Sequence, residues 1–471
     1  MSGRACVIGA GPNGLAAAIV LAGAGCQVDV FEAEPQPGGA ARTLELTLPG
    51  FLHDFGSAVH PLAVGSPFFS SLPLSNHGLE WIHSPSVLAH PLDDGTAVTL
   101  ERDLSADSVH LGRDSQAWRR LMQPFANRWT NLSSEVLRPI HLLTRHPWLL
   151  ARFGVCAFPP ANALSNFLFR EERTKALFAG LAAHSLLSLD EPLSAAFGVL
   201  LGAAAHAVGW PIPRGGAQSI TSALCGHLSG LGAKIKISAR VDRLRDLPQY
   251  DMTMCDVTPR ELLQMADGEL SAAYRSQLQK FRYGSGVFKV DYALSSPIPW
   301  KASECLRAAT VHVGGSAAEI TASEAAVRRG EHAERPFILL AQPSLFDATR
   351  APKGKHIAWA YCHVPNGSKV DMLERFECQI ERFAPGFQEC VLARRVFSPA
   401  AIEAMDANLI GGDIGGGAMD VRQFLFRPTW RHYATSNRHL YMCSSSTPPG
   451  AGVHGMCGYH AARSALARLR G

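Results

Sequence analysis

The stretch Ala5–Glu34, ACVIGAGPNGLAAAIVLAGAGCQVDVFEAE, constrains the fold more than any other part of the 471-residue chain. Gly9, Gly11, Pro12, Asn13 and Gly14 interrupt what would otherwise be one apolar run, and an export signal or a spanning helix needs that run unbroken. Gly23-Ala24-Gly25 before Cys26 also lacks the large aliphatic residue of a lipoprotein cleavage site. A nucleotide-binding βαβ unit accounts for every interruption. Ala5–Ile8 predicts a buried strand, Gly9–Gly14 spells GxGxxG, Leu15–Gly25 predicts a small-residue helix, and Gln27–Phe31 predicts a second strand. Gly9 serves the tight turn, Gly11 the close approach of backbone to a pyrophosphate and Gly14 the packing of helix on strand. The helix start, with Pro12 and Asn13, offers N–H donors and a positive dipole end.

Glu32 closes the second strand, where a carboxylate accepts hydrogen bonds from ribose hydroxyls and repels a 2′-phosphate. FAD or NAD therefore fits better than NADP. Lys plus Arg total 44 against 40 Asp plus Glu, and this surplus of 4 is scattered, which gives no footprint for nucleic acid. The 11 cysteines form no CxxC and the 19 histidines no HExxH, so neither a dithiol centre nor a metal site is expected. Reduced thiols of this kind point to the cytoplasm. The apolar segment Ser194–Trp210 is short and rich in small residues, which predicts a buried helix, with a shallow peripheral membrane contact as the alternative.

Four further segments carry a resemblance. Pro37–Pro61 holds Gly38, Gly39 and Arg42, the last able to neutralise a diphosphate, followed by the loop FLHDFGSAVHP. Pro213–Leu244 reads as turn, helix, Gly turn and strand; Tyr250–Met265 reads as a strand running into a turn at Asp256. His439–Leu469 reads as strand, tight turn at Pro448–Gly452 and a helix from Val453. In these pieces and their order the chain resembles the phytoene desaturase family within the amine-oxidase-like FAD superfamily. Its Gly-Gly-Ala at Gly38–Ala40 is similar to the branch of pyridine nucleotide-disulfide oxidoreductase domain-containing proteins, whereas the wider family carries Arg where Ala40 stands.

The resemblance implies an α/β fold: a Rossmann-like FAD-binding domain assembled from residues 1–75, 206–265 and 406–471, and an α+β substrate domain from 76–205 and 266–405. It places Val241 near the adenine, Ser444 near the ribityl chain, and Gly450, Ala451, Gly452 and Val453 against the isoalloxazine. It implies FAD-dependent, desaturase-like hydride removal from a hydrophobic isoprenoid, polyene or other lipid-like substrate, with an electron acceptor of unassigned identity. Polyene isomerisation, amine oxidation and a non-enzymatic binding role are the alternatives. Catalytic candidates are His60 in SAVHP, His454 beside the Gly450 turn, and Asp413 in GGDIGGGAMD. The competing reading of each is a loop residue with a satisfied hydrogen bond. His184 and His206 read as core or pocket-wall residues.

Outside the nucleotide pieces, Asp94-Gly95 predicts a hairpin, Ser115–Trp210 a largely helical segment, and GVFKVDYAL and FILLAQPSLF two strands.

Overall fold

The computed structural model describes residues 3–106, 111–140 and 144–470. In chain order its strands are β1 (Arg4–Ile8), β2 (Gln27–Phe31), β3 (Thr43–Glu45), β4 (Leu52–Asp54), β5 (Trp81–Ile82), β6 (Ser86–Pro91), β7 (Ala97–Leu100) and β8 (Ile212–Pro213). They continue as β9 (Lys234–Lys236), β10 (Met252–Cys255), β11 (Gly286–Leu294), β12 (Ala308–Val313), β13 (Ile338–Ala341), β14 (His356–Val364), β15 (Val391–Phe397) and β16 (Leu440–Met442).

Five of these form a parallel sheet in the order β16-β10-β1-β2-β9, so the first motif's strand lies beside strands from the middle and the C-terminal part of the chain. The helix Pro12–Gly23 packs on it through Leu15–Ala18, all buried. Gly14 makes that contact possible: a Cβ there would stand 2.0 Å from the Gly9 carbonyl oxygen. A second close approach joins this helix to the helix Met456–Arg470, where a Cβ on Gly458 would stand 1.8 Å from the Asn13 carbonyl oxygen.

The second sheet has the order β15-β11-β14-β13-β12-β6-β7 and is mostly antiparallel. Its side chains separate by the strand period of two. Phe288, Val290 and Tyr292 pack under the helix Leu373–Phe383, while Val287, Trp359 and Tyr361 face the helical layer built from segments between 115 and 207. Glycine at 95 turns the predicted hairpin between β6 and β7. The helical segment has the expected content, residues 141–143 lying outside the described residues; Ser194–Ala207 is a helix buried along most of its length.

Some boundaries move. β9 ends at Lys236 rather than running on to Leu244, because Ser238 takes a positive φ of 48° that ends the extended run. The C-terminal helix begins at Met456 instead of Val453, since Gly455 at φ 68° holds the backbone in a left-handed turn until then. β13 stops before Pro343, which starts a 3₁₀ turn.

The helix Ala317–Arg328 has a capping box, with Ser316 Oγ accepting the Glu319 N–H at 3.3 Å and Glu319 Oε2 accepting the Ser316 N–H at 3.1 Å. Ser316→Ala is expected to cost about 1 kcal/mol, read as a lower midpoint in thermal melts; an unchanged midpoint contradicts this role.

Candidate active site

A deep cavity opens where the C-terminal ends of the parallel strands meet the second sheet. At its cofactor end it is lined by Gly11, Pro12, Asn13, Gly39, Ser444 and the turn Ala451–Val453. The helix Pro12–Gly23 starts there from Gly11 with no side-chain cap. Pro12 has no N–H and the Gly14 N–H is held by Asp256 Oδ2 at 2.8 Å, so the first turn directs the Asn13 N–H and the positive end of the dipole at the cavity, which suits a diphosphate. Glu32 is buried at the end of β2, where Oε2 accepts the Ala10 N–H at 2.7 Å and Oε1 the Glu34 N–H at 2.9 Å. These bonds fix the carboxylate in place, with lone pairs left for ribose hydroxyls. The glycine cradle, the helix start and the oriented acid together fit an FAD.

Gly9 (φ 97°) and Gly14 shape the turn behind this surface without lining it. Gly38 (φ 142°) turns the chain against Arg42 and Thr221. Val241 packs partly buried beside Phe31 in the cluster under the sheet edge, away from the cavity. Gly450 (φ 109°) supports the Ala451–Val453 turn and faces Arg427.

Arg42 corrects the sequence reading. It does not reach the cavity: its Nε donates to the Gly39 carbonyl at 2.7 Å, Nη2 to the Met405 carbonyl at 2.6 Å, and Nη1 lies 3.5 Å from Glu34. These contacts make the guanidinium a tether between the Gly38-Gly39 turn and the 405 region.

The three catalytic candidates have different surroundings. His60 lines the cavity, buried, with no side-chain hydrogen-bond partner; the Ser57 backbone is the polar group beside its ring. Burial pushes its pKa down to about 4, so the ring is neutral. Asp413 is buried behind the lining residues Ile414–Gly416, its Oδ2 accepting the Gly284 N–H at 2.8 Å and Oδ1 the Gly415 N–H at 2.7 Å. His454 also lies behind the lining, and its Nδ1 accepts the Met456 N–H at 3.0 Å, as a cap on the C-terminal helix. Sequence proximity to the flavin turn thus brings only His60 to the cavity surface.

Sequence reasoning missed several neighbours. Asp256 and Asp406 line the cavity beside the glycines; Asp256 Oδ2 accepts the Gly14 N–H at 2.8 Å. Burial raises both carboxyls, Asp256 to about 8. Arg427, also buried, donates through Nη2 to the carbonyls of Gly416 at 2.7 Å and Ser445 at 2.9 Å, tying two lining loops together.

At the far end the wall is apolar and aromatic: Leu186, Phe197, Leu201, Trp359 and Tyr361. Lys289 interrupts it. This lysine shares the β11 face of Val287 and Asp291, pairs tightly with the Asp291 carboxylate, and lies 5.1 Å from the Phe397 ring centroid. The signal was present in GVFKVDYAL, where Lys289 and Asp291 share one face of a largely apolar strand. His184 is a wall residue, its Nε2 3.1 Å from Nε2 of buried His312. Burial pushes the His184 pKa down to about 3, so it too is neutral. His206 instead accepts a hydrogen bond from Trp118 Nε1 at 2.9 Å, in the helical layer. Among the described residues, no cluster of three or more metal-ligating side chains occurs.

With this geometry in hand, the comparisons with known proteins are consistent along the chain. The model of an NAD(P)-binding Rossmann-like domain matches residues 7–68. The chain is 27% identical to pyridine nucleotide-disulfide oxidoreductase domain-containing protein 2 of Mus musculus, over 99% of this chain and 94% of that one. It is 25% identical to the phytoene desaturase (neurosporene-forming) of Rhodobacter capsulatus, over 97% and 92%. An oxidoreductase from Methanosarcina mazei shares the fold with a TM-score of 0.65 at 18% identity, over 98% of this chain and 100% of that chain.

Proposed function

We propose that this chain, an FAD-dependent oxidoreductase of the phytoene desaturase-like kind, dehydrogenates a hydrophobic, lipid-like substrate. The observation that carries the reading is the joining of the two cavity ends: a glycine cradle at a helix start runs without a break into a wall of Leu186, Phe197, Leu201, Trp359 and Tyr361. Relatives named as phytoene desaturases support the same class.

The bound FAD supplies a hydride acceptor. The chain does the remainder. Gly11, Gly39, Ser444 and the first helical turn would hold its diphosphate and ribityl portion, Glu32 would hold the adenosine ribose, and the turn Ala451–Val453 would back its ring system. The apolar wall aligns a hydrocarbon segment and keeps water out. Lys289 brings an ammonium to that wall, and its pairing with Asp291 leaves little net charge to repel an apolar substrate.

Removing a hydride from one carbon and a proton from its neighbour leaves a carbon–carbon double bond. We assign the proton to His60, which lines the cavity as a neutral ring without a side-chain partner. Its depressed pKa keeps the ring unprotonated and able to accept, at the cost of basicity.

The test begins with the absorption spectrum of the purified protein, followed by anaerobic extraction and mass analysis of bound small molecules. Flavin bands with a co-purified lipid, bleached when that lipid is returned to the oxidised protein, are the expected result. A colourless protein that also refuses added FAD overturns the reading. Glu32→Ala is expected to weaken FAD binding about tenfold to a hundredfold, the range for lost hydrogen bonds to a charged group. Unchanged flavin occupancy at limiting FAD would remove the ribose assignment.

A further inference from the structure

The apolar end of the cavity carries two polar atoms that hydride removal from a plain hydrocarbon does not use. His184 follows the helix Glu172–Ala183 and lines the cavity, and its Nε2 lies 3.1 Å from Nε2 of His312 on β12. Its other nitrogen, Nδ1, has no hydrogen-bond partner among the described residues. Tyr361 on β14 lines the same end, and its hydroxyl likewise has no partner among the described residues. Neither atom is sealed behind protein. His363 stands beside both: its ring centroid lies 5.7 Å from that of Tyr361, and it is close enough to His184 to oppose protonation there.

The histidine pair settles which atom carries hydrogen. His312 Nδ1 is buried with no partner, and a sealed N–H without an acceptor is rarer in proteins than an under-used acceptor. The His312 hydrogen therefore sits on Nε2 and is donated to His184 Nε2, which leaves the His184 hydrogen on Nδ1. Burial keeps both rings neutral, so no second proton disturbs this arrangement. Gly180 makes room for it, since a Cβ there would stand 2.6 Å from His312 Nδ1. The wall thus presents an imidazole N–H and a phenol O–H, each without an acceptor. Trp359, its ring centroid 5.2 Å from that of Tyr361, adds an indole N–H that also lacks one among the described residues. Phenylalanine at 184 and 361 would line a cavity for hydrocarbon without any unmet donor.

We infer that the substrate is a lipid bearing an uncharged oxygen, an alcohol or a carbonyl, which accepts hydrogen bonds from His184 Nδ1 and the Tyr361 hydroxyl. This rests on the cavity being the site of an FAD-dependent dehydrogenation and narrows the substrate class. A uniform hydrocarbon chain can slide along an apolar wall. One anchored atom sets its register, and with it the carbon–carbon bond that lies toward the glycine cradle. The donors also select against other head groups. An ammonium has donors only and would find just the Tyr361 oxygen to bond. A carboxylate would bring an unpaired charge, because Lys289 is already paired with Asp291. Hydrocarbon that displaces water from these donors cannot replace its hydrogen bonds, whereas an alcohol or carbonyl can.

The test offers the whole flavin-loaded protein paired lipids from the same detergent micelles: geranylgeraniol or oleyl alcohol, each with the hydrocarbon of its own skeleton, and oleyl alcohol with oleylamine. The protein is separated from the micelles and the bound lipids are extracted and quantified by mass analysis. The wild type is expected to take the alcohol over the hydrocarbon by about tenfold or more relative to their proportions in the micelles, and oleyl alcohol over oleylamine. Tyr361→Phe and His184→Phe are each expected to reduce the alcohol-to-hydrocarbon ratio about threefold to tenfold, the range for one hydrogen bond. Comparison with the variants cancels any difference in how the two lipids partition. Flavin absorbance per protein and the thermal midpoint check folding; Tyr361→Phe removes a single oxygen, so it decides alone should His184→Phe fail to fold. Equal uptake of alcohol and hydrocarbon by the wild type, a wild-type ratio in either folded variant, or a preference for oleylamine overturns the inference and leaves the flavin assignment standing. Uptake of no lipid at all overturns the hydrophobic-substrate reading together with this one.

Discussion

Alanine at position 14 is expected to produce a protein that retains little or no flavin. The added Cβ would lie 2.0 Å from the Gly9 carbonyl oxygen and 3.1 Å from Asp256 Oδ2. An unstrained contact needs more than 3 Å, so the helix Pro12–Gly23 would have to withdraw from β1 by over an ångström at the point where the cavity begins. Overpacking of this sort costs about 1–3 kcal/mol when a core can yield. Here the opposing atom belongs to the backbone of the turn that leaves β1, the central strand of the parallel sheet, which puts the cost at the upper end or beyond. Gly23 is the internal control, because a Cβ there meets nothing within 4 Å and alanine favours the helix by up to ~1 kcal/mol. Flavin absorbance per protein and the midpoint of urea unfolding separate the two: Gly14→Ala should fail both measurements and Gly23→Ala neither. Full flavin content in Gly14→Ala would refute the close-packing argument.

Flavin-free protein is expected to lose stability as the pH rises from about 6 to about 8, and Asp256 is the main cause. Burial, with smaller effects from the carboxylates of Asp406 and Glu32, raises its pKa from 3.8 to about 8, against the opposing Gly14 N–H. The folded form therefore keeps a proton that the unfolded chain gives up. Stability gained from that proton is complete below about pH 4, declines as pH rises and is gone above about pH 8. At 1.36 kcal/mol per unit the loss across the upper part of this window is on the order of 2 kcal/mol. Asp256→Asn, which cannot ionise and still offers an oxygen to Gly14, should give a flatter profile in urea unfolding from about pH 6 to about pH 9. An equally steep decline in the variant would assign the effect to another group; Asp406 and Asp413, both raised by burial, would then be the ones to replace.

The nucleotide unit was legible in the sequence because its determinants are local. GxGxxG, the flanking strands and Glu32 all fall within the span from Ala5 to Glu34, and each glycine has a turn or packing reason that needs no knowledge of the remainder. The hairpin at Asp94-Gly95 and the strand at Leu440–Met442 were legible for the same reason. The cavity was less so. Arg42 is occupied by the carbonyl of Met405, Asp256 faces a glycine of the first motif, and Arg350 pairs with Asp54 at 2.7 Å, all buried contacts across hundreds of residues. No periodicity records such pairings. His454 shows the opposite limit: its position beside a glycine turn was apparent, but which way its ring points depends on the helix start at Met456.

The parallel sheet that carries the cofactor end also sets a timetable for synthesis. β1 and β2 leave the ribosome early, but β10, the neighbour of β1 on its other side, follows more than 200 residues later, and β16 completes that edge only near Met442. At about 5–20 residues per second, a nascent chain spends tens of seconds with the glycine motif already made and one flank of β1 unpaired. The apolar side chains of β1 and of its helix are then exposed to wrong partners. A chaperone that shields this edge, and a supply of cofactor when the C-terminal helix docks at Gly458, would govern how much chain matures, so yield in cells should respond to riboflavin supply even where the finished protein is stable.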